Sequence, residues 1–132
     1  MMTKKEIIDL VKEIGSDIGN KKRSLFSENE NSGKIGNNQF RELASICHSA
    51  ECYEEIELLI KYNTAKSIKN NNDESWAVFC ENKRFGNIVI EKMKKIHEFE
   101  KEDEEVLKSL EAFFGYLYWQ ARIWTSLDEK GE

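Results

Sequence analysis

Residues 110–124 (Leu-Glu-Ala-Phe-Phe-Gly-Tyr-Leu-Tyr-Trp-Gln-Ala-Arg-Ile-Trp) hold six of the chain's fourteen aromatic residues, with Gly115 as the one breaker among them. A helix that is apolar around most of its circumference must lie at the centre of a core or meet a partner. The run therefore predicts the central helix of a bundle, with Phe113, Phe114, Leu117 and Tyr118 filling the core. The chain contains no proline and 34% of its residues are charged, which favours long uninterrupted helices over a turn-dense sandwich or barrel. A chain of 132 residues supports one core that buries roughly two thirds of its surface. The predicted fold is all-α, a compact bundle of five to six helices.

Periodicity places the other elements. Ile7, Leu10, Val11, Ile14 and Ile18 recur at helical spacing, so residues 1–23 read as an N-terminal amphipathic helix with Thr3 and Glu6 as its capping box and a bend at Gly15. Residues 24–37 are rich in Ser, Asn and Gly and read as a flexible linker that sets this helix apart. The bundle domain then spans 38–126. A helix over 38–50 presents Phe40, Leu43, Ala44 and Cys47; the next starts with Tyr53, Ile56, Leu59 and Ile60 and runs to Lys69. A short helical turn at 75–80 precedes a helix over 83–98 with Phe85, Val89, Met93 and Ile96 inward, and the last helix spans 103–126. Residues 127–132 form a tail. No period-2 strand and no internal repeat is predicted.

The net charge of -5 is uneven: residues 98–132 carry four basic and ten acidic groups, while the first 48 carry eight and seven. Much of the excess lies in 98–105, where carboxylates complement the positive end of the last helix. A basic surface elsewhere can still act on phosphates, because charges are screened over about 8 Å. No run of about 18 apolar residues marks a membrane span, and the first residues lack a secretory pattern. A cytoplasmic protein with three reduced cysteines and no disulfide is the expectation.

Catalytic chemistry finds little footing. Cys47, His48, Cys52 and Cys80 lack the paired tight spacing that zinc favours, so no metal and no cofactor is expected. His48 and His97 lie in predicted helices without a nucleophile elbow or a phosphate-cradling glycine loop. The chain reads as a non-enzyme, a small ribonuclease being the distant competitor. Basic stripes are more informative. Tyr62, Lys66 and Lys69 share one helix flank, and Lys83, Arg84, Asn87, Lys94 and Lys95, interrupted only by Glu91, lie opposite the apolar face of the 83–98 helix, with Arg41 flanking the second helix. Cations with an aromatic nearby suit a nucleic-acid backbone and unstacked bases. Tyr116, Trp119 and Trp124 spread around the rest of the last helix and read as a protein interface.

Three short patterns occur in a telling order. Gln39-Phe40-Arg41 resembles a Gln-(Leu/Ile)-Arg signature at a helix start. Tyr62-Asn63-Thr64-Ala65-Lys66 resembles Tyr-x-x-x-Arg, and Glu111-Ala112-Phe113-Phe114-Gly115-Tyr116 resembles Glu-Ala-x-x-Ala-Tyr. Together they are similar to the small helical subunit of type III-A CRISPR RNA-guided effector complexes, over about residues 37–122; the related type III-B small subunit is also helical and basic-faced. The resemblance implies a non-catalytic subunit for antiviral defence that packs against copies of itself and against the other subunits, its basic face lining the channel of the guide RNA–target RNA duplex. By position Arg41 and Lys66 become RNA contacts, with Gln39 supporting the first. Two departures from the pattern have physical consequences. Lys66 replaces an arginine and loses the bidentate fork for phosphate, and Gly115 replaces a helical alanine, which costs about 1 kcal/mol unless a neighbouring backbone packs closely there. A reading of a different class is a helical adaptor that binds protein without RNA.

Overall fold

The computed structural model describes residues 1–27, 33–70 and 72–126. Helix α1 (Lys4–Ile18) begins on the expected capping box: Thr3 Oγ1 accepts from the Glu6 N–H at 3.1 Å and the Glu6 carboxylate accepts from the Thr3 N–H at 2.9 Å. It runs through Gly15 and ends at Gly19, whose φ of 56° is one that glycine adopts without a Cβ clash. A 3-10 turn (Gly19–Lys21) and the four-residue α2 (Lys22–Leu25) follow. The bundle is completed by α3 (Asn38–Ser49), α4 (Tyr53–Lys66), α5 (Phe85–Phe99) and α6 (Asp103–Ser126). The all-α bundle is thus present, with five helices of 12 to 24 residues and one short one among the described residues.

The ends of the expected linker belong to the core. Leu25, Phe26 and Ile35 are buried, and β1 (Phe26–Ser27) pairs in parallel with β2 (Ile35–Gly36). Three apolar side chains were enough to anchor a stretch that its Ser, Asn and Gly content marked as a spacer, so α1 is not set apart: it packs against α6 and α5. Residues 28–32 of that stretch and the tail 127–132 lie outside the described residues. A second two-residue ladder, β3 (Phe79–Cys80) with β4 (Lys83–Arg84), is antiparallel and turns at Glu81, whose φ is 62°. Lys83 and Arg84 therefore precede α5 instead of belonging to it, and α4 stops at Lys66, before Lys69.

The predicted centre is the centre, except that Tyr118 is only half-buried. Val106, Leu110, Phe113, Phe114, Leu117 and Ala121 of α6 are fully buried, and α6 makes its largest helix contact with α3. A second aromatic cluster joins segments far apart in the chain: Phe26 meets Phe40 and Phe85 edge-on, and Trp76, in a 3-10 turn (Ser75–Ala77), meets Phe40 and Phe85. Helices α4 and α5 cross where Gly86 faces Thr64, and a Cβ on Gly86 would collide with Thr64 Oγ1. Among the described residues, no helix is long and apolar enough to cross a membrane.

Candidate nucleic-acid interface

Helix α3 divides the three sequence patterns between two hollows. On one side a groove of about 360 Å³ between α3 and α4 is lined by Gln39, Leu43, Ile46, Asn63, Lys66 and Trp76, among others. Gln39 is held by its neighbour, since its Oε1 accepts from the buried Trp76 indole N–H at 3.1 Å. Lys66 sits over the Tyr62 ring at 5.2 Å from the centroid, and Tyr62 is 59% exposed. This is a cation–π pair at a wet surface, worth about 0.5–1 kcal/mol, with both the ammonium and the ring open to a ligand. Glu42 also lines the groove.

On the other side, Arg41 shares a hollow of about 430 Å³ with Ala112, Gly115, Tyr116, Tyr118 and Trp119 of α6. Its guanidinium carbon lies 5.4 Å from the Tyr118 centroid. Tyr116 and Trp119 meet edge to face at 5.7 Å, and Trp119 is 64% exposed. The close neighbour that a glycine here predicts is not found, because a Cβ built on Gly115 meets nothing within 4 Å. The first and third sequence patterns thus meet in this hollow, while the first and second meet in the groove. Arg41 and Lys66 do not share a surface pocket.

The other cations named from the sequence divide sharply. Arg84 pairs with Asp73, donates to the Ala77 carbonyl at 3.0 Å and lies over the Phe79 ring at 4.3 Å. This arrangement holds the Asp73 carboxyl below its usual range. Arg84 therefore fastens the start of α5 to the connection that follows α4, and its fork is engaged within the chain. Lys95 pairs with Glu13 at 3.0 Å. Lys69 and Lys94 are exposed and, among the described residues, form no ion pair. Lys92, not singled out by its sequence, is only 5% exposed and pairs with Glu13 at 3.2 Å and Asp17 at 2.9 Å. Burial opposes its charge, but the two carboxylates outweigh burial and raise its pKa. The available signal was Lys92 standing among Ile88, Val89 and Ile96 at helical spacing, facing two acids one turn apart on α1.

Trp124 departs from the interface expectation. It stacks on Phe26 at 5.4 Å and 18°, and its ring edge would touch a Cβ on Gly15 at 3.0 Å. Partly buried against the core, it closes α6 onto α1. Trp119 remains at the surface with Ile123 one turn beyond, while Tyr116 is half-buried against the core.

The cysteines and histidines are dispersed. Burial, reinforced by Glu111, pushes the Cys47 thiol up to about 12, so it is protonated at neutral pH. His48 Nδ1 lies 3.6 Å from the Glu111 carboxylate at the surface, and His97 stacks on Tyr53 at 4.1 Å. Among the described residues no group of three or more His, Cys, Asp and Glu side chains is placed to hold a metal ion. No family model, curated protein or solved structure matches this chain.

Proposed function

We propose that this protein is a non-catalytic small subunit of a type III CRISPR ribonucleoprotein effector complex, acting in the cytoplasm in antiviral defence and lining the channel that holds the guide RNA–target RNA duplex. The observation that carries the reading is the behaviour of the two pattern cations. Arg41 and Lys66 are exposed, each rests on a tyrosine ring, and among the described residues neither forms an ion pair. Lys83, Arg84, Lys92 and Lys95, by contrast, are paired with carboxylates. Cations held instead on aromatic faces keep their charge for a phosphate and offer a flat surface beside it. Lys69 and Lys94 extend the basic surface; Arg84 and Lys95 leave it. Packing against other subunits and against copies of the chain falls to exposed apolar side chains such as Leu58 on α4 and Ile123 on α6.

The test is the salt dependence of target-RNA affinity, measured on the assembled complex carrying either the wild-type subunit or Arg41→Ala/Lys66→Ala, after both are shown to assemble equally. Each lost phosphate contact should lower the slope of log affinity against log salt by about 0.7 to 0.9, with little dependence on RNA sequence. Identical affinities and slopes would favour the adaptor reading, in which Tyr116 and Trp119 bind only protein.

A further inference from the structure

The hollow around Gly115 contains a helical glycine that its own fold does not need. Glycine inside a helix is about 1 kcal/mol less favourable than alanine, and glycines elsewhere in this chain have visible reasons: Gly86 makes room for Thr64, Gly15 for the Trp124 ring, and Gly19 adopts a positive φ. At Gly115 an added Cβ would enter open space. The room it leaves is bordered by the Tyr116, Tyr118 and Trp119 rings and by Arg41. The lining residues thus include one cation and no carboxylate. Rings, a guanidinium and a floor of bare helix backbone suit a planar, π-bearing group with an anion attached.

We infer that this hollow takes a single unstacked base of an RNA strand, stacked against the exposed ring of Trp119, with Arg41 meeting a phosphate of the same strand. The inference rests on the RNA-binding reading above and adds to it a site for a base beside one for the backbone. Charge favours this occupant over an apolar side chain from a protein. A purely apolar guest would leave the Arg41 guanidinium covered without an anion, and covering an unpaired cation is unfavourable. Base stacking also tolerates any sequence, because every base has a π face.

Single-stranded and duplex RNA of equal length can be titrated onto the purified chain and onto the assembled complex, at several salt concentrations. Trp119→Ala should weaken single-strand binding roughly ten- to hundredfold with its salt slope unchanged, since no counterion is released by stacking. Trp119→Phe should restore most of the affinity, and Gly115→Leu, which fills the hollow with every ring in place, should mimic the loss. Photocrosslinks from 4-thiouridine in the strand should map to the segment holding Tyr116 and Trp119. Because Trp119 is exposed, its replacement leaves the fold intact, which circular dichroism would verify. Full affinity in Trp119→Ala and Gly115→Leu, with Lys66→Ala still flattening the salt slope, would refute the base site and leave RNA binding standing. Loss of complex assembly in Trp119→Ala, with RNA affinity preserved, would identify the hollow as a protein dock and equally refute it. No binding of RNA by wild type in either form would remove both readings.

Discussion

Two glycines inside helices, Gly86 in α5 and Gly115 in α6, should respond in opposite directions to the same change. At Gly86 a methyl group would collide with Thr64, whose hydroxyl is already committed to the Ile60 carbonyl at 2.8 Å. The α4–α5 crossing would have to open, so Gly86→Ala should destabilise by about 1–3 kcal/mol in urea unfolding, the usual penalty for overpacking. Gly115→Ala meets no neighbour and only lowers backbone freedom in the unfolded chain, so it should stabilise the isolated protein by about 0.5–1 kcal/mol. A destabilised Gly115→Ala would mean that the glycine already fits close to something within the free chain, and the hollow would lose its meaning as an open site.

Between elements, α1 is fastened to α5 by a charge clasp and α6 is fastened to everything by packing. Glu13 bridges Lys92 and Lys95, and chiefly the Lys95 hydrogen bond holds its carboxyl below the ordinary range. A carboxylate with a depressed folded pKa contributes stability in full above its unfolded value, about 4.3 for Glu, and loses it as pH falls through the folded value. Glu13→Gln should therefore lower stability at pH 7 and flatten the acid limb below about pH 4.5, read as urea midpoints against pH. Glu13 is nearly half exposed, so the change should stay under about 1 kcal/mol. An unaltered acid limb would show that these surface charges contribute nothing to holding α1 on α5. Leu117→Ala in the fully buried stripe of α6 should instead cost about 2–5 kcal/mol at any pH. The stripe and its burial were legible because a helix writes its buried face at a 3.6-residue period. The clasp was not, because Lys92 and Glu13 are 79 residues apart, and no local pattern says which acid meets which lysine. Long separation in sequence likewise hid the stacking of Trp124 on Phe26 and the bond from Trp76 to Gln39. Of the candidate site, spacing and the resemblance could name Arg41, Lys66, Tyr116 and Trp119, but only the folded chain separates them into two hollows, ties Arg84 and Lys95 to carboxylates and stacks Trp124 on Phe26.

For the molecule as a whole, the decisive question is whether it does chemistry or only holds its partner. Two arrangements come nearest to an acid–base site. His48 faces the Glu111 carboxylate at 3.6 Å, and His97 lies flat on the Tyr53 ring, whose hydroxyl donates to Glu57 at 2.7 Å. The cation beside the second arrangement, Lys61, is paired with Glu57 at 3.0 Å. The Tyr53 hydroxyl is pushed above its ordinary pKa, first by burial and then by Glu57, which makes it a poorer proton donor still. General acid–base catalysis works best with groups that titrate near the working pH. We therefore expect the purified protein to leave single-stranded RNA, duplex RNA and DNA intact over hours with magnesium, manganese or zinc present. Gel analysis of end-labelled substrates would check this. Cleavage that vanishes in His48→Ala or His97→Ala, with the fold unchanged, would replace the scaffold reading by that of a small ribonuclease. Cleavage that survives both substitutions would instead point to a contaminating enzyme, which a second purification on a different matrix would remove.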